Sequence, residues 1–187
     1  LTRDVEVVNI TAEAHKDMKA CRDILDVRGR VVSSAEASLC CDADTTLTLP
    51  SLHVDSLAGG RPTDVRFIRL ALDDAEGRRV SDNFYVIGNE EGNLMQLRSL
   101  TNVSLKTDVV RDGNRYDVTI ANETDTPAMM IRLNLKAEDG EQVLPVSYED
   151  NYFHLMPGET RTVRVEWNQA DTRSLPTYVE ITGFNVK

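Results

Sequence analysis

The stretch Val109-Val110-Arg111-Asp112-Gly113-Asn114-Arg115-Tyr116-Asp117-Val118-Thr119-Ile120-Ala121 decides the fold class. Two runs rich in β-branched residues flank Asp112-Gly113, and the second alternates apolar and polar from Tyr116 to Ile120. Alternation with a period of two is the mark of a strand with one buried face. The Gly stands where a hairpin turn needs positive φ.

The same grammar recurs along the chain. Candidate strands are Val5 to Thr11, Lys19 to Val27, Arg30 to Leu39, Thr46 to Leu49, Val65 to Leu72 and Val80 to Ile87. A second series covers Ser104 to Arg111, Arg115 to Ala121, Ala128 to Lys136, Gln142 to Tyr148, Thr160 to Trp167 and Thr177 to Val186. Gly29, Gly77 and Gly140 mark further hairpin turns, and Met156-Pro157-Gly158-Glu159 has the Pro-Gly centre of a type II turn. Short strands at this spacing predict an all-β sandwich architecture. No stretch makes a convincing amphipathic helix; Ala12 to Ala20 is the only candidate, and it is short.

The chain has 187 residues, room for two sandwiches of about 90 residues each. The polar stretch Asn89 to Asn93 separates the two strand series, which predicts a domain over 1–88, a linker over 89–93 and a domain over 94–187. A net charge of −10 lacks the basic footprint that nucleic acids or anionic membranes require, so neither is expected as a partner. No run of apolar residues is long enough for a membrane-spanning helix. The chain opens at Leu1 and enters a strand almost at once, which reads as a piece of a longer protein. The acidic, Cys-poor composition reads as bacterial.

A weak internal repeat links Phe67 to Leu72 with Met130 to Leu135. Each leads to a Gly turn and then to an Asp-Asn-aromatic-aromatic group, Asp82-Asn83-Phe84-Tyr85 or Asp150-Asn151-Tyr152-Phe153, at different spacing. Asp and Asn favour turns because their side chains bond nearby backbone, so Asn83 and Asn151 are expected to hold the start of the segment that follows.

These segments resemble the C-terminal immunoglobulin-like accessory domains of glycoside hydrolase family 2, in the β-mannosidase and exo-β-glucosaminidase branch. Phe67 to Leu72 with Val80 to Tyr85 looks like the last hairpin of the domain after the catalytic barrel. Val143 to Phe153 with Leu155 to Glu159, and the ending Val179 to Asn185, look like the final domain. The departures are Val86, where an aromatic is expected, and a first domain that reads as starting at its second strand. The resemblance implies two tandem immunoglobulin-like β-sandwich domains from a secreted or periplasmic parent, a retaining exo-glycosidase. That parent's (β/α)₈ barrel alone takes roughly 250 residues. No βα alternation occurs here, and no catalytic carboxylate is carried over.

The residues offer little chemistry of their own. The adjacent carboxylates Asp73-Asp74, Glu90-Glu91 and Glu149-Asp150 are sequence neighbours that diverge on strands or lie solvated in turns. Retaining hydrolysis needs two carboxyls about 5 Å apart across a pocket. His15, His53 and His154 are scattered, and only His154, beside an aromatic pair, suits the rim of a binding surface. Asp42-Ala43-Asp44 lacks the rest of a Ca²⁺ loop. Cys21, Cys40 and Cys41 are odd in number and suit neither a disulfide framework nor a metal site. Trp167 shares its strand face with Val163 and Val165 and reads as core. Asn9-Ile10-Thr11, Asn102-Val103-Ser104 and Asn122-Glu123-Thr124 match the N-glycosylation triplet, a weak pattern without meaning in a bacterial chain.

The expectation is therefore a non-catalytic accessory pair of sandwiches. Its partner is the barrel of its own parent chain, and it meets oligosaccharide substrate only through that parent. No cofactor is expected. Asp82, Asn83, Phe84, Tyr85, Asp150, Asn151, Tyr152 and Phe153 carry a structural role. The rival readings are a carbohydrate-binding sandwich, which an exposed aromatic strip on one sheet face would favour, and tandem structural or adhesion domains.

Overall fold

The computed structural model describes residues 4–54, 64–88 and 92–187. The chain divides into two compact units, Leu1–Ser99 and Leu100–Lys187. Residues 89–91 of the expected linker lie outside the described residues. The short 3-10 turn Met95–Ser99 is tied to the first unit, since Val65 N donates to Gln96 Oε1 at 2.6 Å.

In the first unit, β1 (Val5–Asn9) pairs antiparallel with β4 (Thr45–Leu49). The opposing sheet runs β3-β2-β5-β6, from β2 (His15–Leu25), β3 (Val31–Cys41), β5 (Arg66–Asp73) and β6 (Arg79–Ile87). Val5, Leu49 and Leu52 meet Met18, Ala20, Ile24, Leu39 and Ile68 in one core. The second unit has one sheet of order β10-β12-β8-β7, from β7 (Lys106–Asp112), β8 (Arg115–Ala121), β10 (Val146–Tyr148) and β12 (Thr160–Trp167). The facing sheet runs β11-β9-β13, from β9 (Ala128–Ala137), β11 (Phe153–Leu155) and β13 (Thr177–Thr182). Val118, Ile120, Val163 and Val165 pack on Ile131, Leu133, Leu135, Phe153 and Leu155. Trp167 closes this core against Tyr116, with ring centroids 4.8 Å apart. The architecture is two tandem all-β sandwiches.

Three expectations are corrected. The strand expected from Lys19 starts at His15: a bulge between His15 and Met18, with Asp17 at φ 53°, hides the alternation that brings Met18 and Ala20 inward. Phe153–Leu155 is a strand that the pattern does not reveal, three residues long and offset against β9 by a bulge. The strand expected from Gln142 shrinks to Val146–Tyr148, and Gln142 keeps only an isolated bridge to Lys136.

Both units cross from one sheet to the other on the same device. Asn9 ends β1, and its amide N–H groups donate to Glu13 O and Asp42 O, each at 2.8 Å. Its Oδ1 accepts from Thr11 N at 3.0 Å and Thr11 Oγ1 at 2.7 Å. Asn122 follows β8 and repeats the arrangement, donating to Thr126 O at 2.9 Å and Leu155 O at 3.0 Å. It accepts from Thr124 N at 3.2 Å and Thr124 Oγ1 at 2.7 Å. Asn9 is 7% exposed and Asn122 0%. These two Asn-x-Thr triplets are therefore structural corners, with both N–H groups of each amide hydrogen-bonded.

The hairpin turns share a second device. Asp26 accepts from Arg28 N and Arg30 N, and Asp74 from Glu76 N and Arg78 N, in the common pattern Asp-x-x-Gly-Arg. The Arg78 N–H, donated at 2.8 Å, leads the contacts that hold the Asp74 carboxyl below the usual carboxylate range. Gly77 sits at φ 78° with open space where a Cβ would go, whereas a Cβ on Gly183 would lie 2.7 Å from Val186 Cγ2 and 3.0 Å from Met129 O. Gly77→Ala is expected to cost about 1 kcal/mol, from backbone strain alone. Gly183→Ala, which must also move packed atoms, is expected to cost more. Chemical denaturation of the two variants checks the order.

Candidate functional site

The segment Tyr148 to Phe153 does a task that backbone does elsewhere. β9 pairs with β13 along one edge, but on its other edge β11 meets it only at Ile131 and Ala128. Asn151 completes that edge, with Oδ1 accepting from Leu133 N at 2.9 Å and Nδ2 donating to Leu133 O at 3.0 Å. Tyr148 Oη accepts from Leu135 N at 2.8 Å, and Val143 N donates to Leu135 O at 3.0 Å. Every exposed rung between the bridges thus finds a partner, as buried backbone must. Asp150 caps Asn151 N and pairs with Arg161, whose guanidinium lies 5.1 Å over the ring of buried Phe153. Tyr152 points to solvent from a left-handed backbone at φ 60°.

The first aromatic group is placed differently. Asp82, Asn83, Phe84 and Tyr85 all lie within β6, and the Asn83 side chain is exposed at a rung opposite Leu70. Asn83 therefore holds no turn. Phe84 packs on Phe67, centroids 5.5 Å apart, and Tyr85 faces solvent. The two groups share letters and not a structural place.

The carboxylates singled out in the sequence are engaged in structure. Asp73 pairs with Arg79 at 2.5 Å, Asp74 and Asp150 with Arg78 and Arg161, and Glu149 accepts from Arg164 N at 3.4 Å. Glu90 and Glu91 lie outside the described residues. Among the described residues no three His, Cys, Asp or Glu gather as metal ligands, and the three cysteines are free. His15 bonds Thr11 and His53 bonds Asp4. His154 is the perturbed one. Burial, and then the Arg161 charge, push its pKa down to about 4, and Nδ1 accepts from Met130 N at 3.0 Å.

A surface feature that the sequence did not mark lies on the outer face of the β11-β9-β13 sheet. Ile131, Leu133 and Leu135 of β9, and Val179 and Ile181 of β13, point into the core. Alternation turns Arg132, Asn134 and Lys136, and Tyr178, Glu180 and Thr182, outward. Cross-strand rungs pair Tyr178 with Lys136, Glu180 with Asn134 and Thr182 with Arg132. Met130, at φ 56°, and Phe184 lie exposed at one end, where Phe184 N donates to Met129 O at 2.8 Å.

Comparison with known proteins identifies the context. The model of the exo-β-D-glucosaminidase Ig-fold domain family matches residues 83–186. The chain belongs to that family. It thereby takes its place among the immunoglobulin-like accessory domains of glycoside hydrolase family 2, as the sequence resemblance implied. Similar relatives include an exo-β-D-glucosaminidase of Arthroderma benhamiae, 30% identical over 186 residues, covering 88% of this chain and 20% of that protein. Another, of Streptomyces avermitilis, is 30% identical over 166 residues, covering 75% of this chain and 18% of that protein. The relatives thus come from fungi as well as bacteria, and the chain spans about a fifth of their length. In structure it resembles the exo-chitosanase CsxA of Amycolatopsis orientalis at a TM-score of 0.82 and 22% identity, over 99% of this chain and 24% of that one. A β-D-mannosidase of Dictyoglomus thermophilum follows at a TM-score of 0.65 and 20% identity, over 98% of this chain and 20% of that one.

Two outcomes are expected. Asn151→Ala strands Leu133 N and O and should cost about 2 kcal/mol, while Asn83→Ala should stay within about 0.5 kcal/mol, both read from denaturant midpoints. His154 stays neutral in the fold at pH values where the unfolded chain protonates it. Its contribution to stability is full above pH 6.5 and is lost as pH falls towards 4. The melting temperature should therefore drop across that window, and His154→Gln should flatten the drop.

Proposed function

We propose that this chain is the non-catalytic accessory region of a family 2-like glycoside hydrolase, of the exo-β-glucosaminidase kind rather than the β-mannosidase kind. In this reading its two sandwiches pack on a (β/α)₈ catalytic barrel and support it, and β-glycoside substrate is met through that parent. The observation that carries the reading is the family match over 83–186 in a chain spanning about a fifth of its full-length relatives. The preference for the glucosaminidase branch rests on relatives named as exo-β-D-glucosaminidases and on the higher TM-score to the exo-chitosanase. The engaged state of the carboxylates in the candidate site agrees with a supporting role.

The isolated chain should release no chromophore from aryl β-glucosaminide or β-mannoside. Turnover above the buffer rate that survives repurification would overturn the reading. Removal of the matching region from the Amycolatopsis orientalis enzyme should lower its melting temperature and its half-life when warm, with KM little changed. An equally stable truncated enzyme would remove the support role.

A further inference from the structure

The outer face of the β11-β9-β13 sheet combines features that neither a bare solvent face nor a protein-packing face normally joins. Met130, Tyr152, Tyr178 and Phe184 each leave about half of their surface to water. Met130 and Tyr152 hold a left-handed backbone, a costly conformation for large side chains that persists only where the surroundings enforce it. Between the aromatic residues runs a polar strip. The Glu180 carboxylate takes a bond from Lys136 Nζ at 2.9 Å, and that contact first, with the neighbouring Asn134 side chain adding to it, holds the carboxyl below its usual range. Asn134 is only 6% exposed, and its Oδ1 has no donor among the described residues. Arg132, half-buried beside Thr182, lies within electrostatic range of Tyr148, Lys136 and Glu180 but has no hydrogen bond or ion pair among the described residues.

From this geometry we propose that the face is a subsite for an uncharged β-linked oligosaccharide. Sugar rings offer apolar C–H faces that stack on the exposed aromatic planes of Tyr178 and Tyr152, whose bodies are apolar and whose tips are polar. Their hydroxyls accept from the Arg132 guanidinium, which thereby gains a partner. A protein partner fits less well. The Lys136–Glu180 pair in the middle of the face counts against one, because Lys and Glu are depleted in the cores of protein interfaces. The ion pair Lys136–Glu180 is neutral in sum, so Arg132 leaves the strip with one excess positive charge. That charge selects a neutral, N-acetylated glycan over a cationic, deacetylated one. The choice of an aminosugar series rests on the exo-β-glucosaminidase reading; the existence of the subsite does not.

The test is titration of the 187-residue chain with β-1,4-linked N-acetylglucosamine oligomers and, separately, with glucosamine and mannose oligomers, followed by calorimetry and amide chemical shifts. Saturable binding of a neutral oligomer is expected, with shifts confined to β9, β13 and the Tyr152 region. Tyr178→Ala and Arg132→Ala should each weaken it at least tenfold without changing the melting temperature by more than about 2 °C. Tyr85→Ala, in the other unit, should leave it unchanged. The glucosamine oligomer should bind at least fivefold more weakly than its N-acetylated counterpart. Binding of the neutral mannose series alone would keep the subsite and remove the sugar series taken from the family. No saturable binding by any neutral oligomer, binding insensitive to both substitutions, or tighter binding of the cationic oligomer overturns the proposal.

Discussion

Each sandwich depends on one asparagine. A chain that leaves one sheet to begin the facing one must turn through the interior, and the turn strips carbonyl groups of their ladder partners. Asn9 and Asn122 each supply two N–H donors to such carbonyls and accept from the backbone and hydroxyl of the Thr two residues on. A buried group left unmatched costs about 1–3 kcal/mol, so one side chain here governs several kilocalories of a marginally stable domain. The triplet Asn-x-Thr is thus retained by geometry: Asn for its paired donors, Thr for its hydroxyl, and a free choice between them, Ile10 or Glu123.

With the two corners as reference, β8 and β12 stand where β1 and β4 stand, and β9 stands where β2 stands. This alignment differs from the one suggested by sequence, which set the apolar run of β5 beside that of β9. It also explains why the second unit needs Tyr148 and Asn151. In the first unit the eleven-residue β3 pairs along β2. In the second, three-residue β11 covers only part of β9, and side chains stand in for the missing backbone. The Asp-Asn-aromatic group after β9 therefore holds the sheet edge, while its counterpart in β6 sits on an ordinary strand.

The all-β class, the twin-sandwich plan and most strands were legible in the sequence because alternation and Gly turns are local signals. Arg115–Ala121 and Thr160–Trp167 were read to the residue, since regular pairing leaves the period of two undisturbed. The bulge at Asp17 and the short β11 were not legible, because one inserted residue or a three-residue strand erases the period. The family was legible in the final domain. The outer face of β9 and β13 was not: it gathers Arg132 of β9, Tyr178 of β13 and Tyr152 from the segment before β11, and only the register brings them together. The corners were visible as triplets, but a triplet that also marks glycosylation says nothing of burial.

An accessory role asks mainly for two rigid, correctly crossed sandwiches, and the corners are what the crossing rests on. The most direct measurement is calorimetric unfolding of Asn9→Asp and Asn122→Asp, each of which keeps the side chain's size and removes its two donors. The account predicts that each variant lowers the melting of its own unit by about 10 °C or more, from two unmatched carbonyls and a buried carboxylate, and leaves the other unit's transition in place. A shift of less than about 2 °C in either variant would show that the crossovers are held by something else.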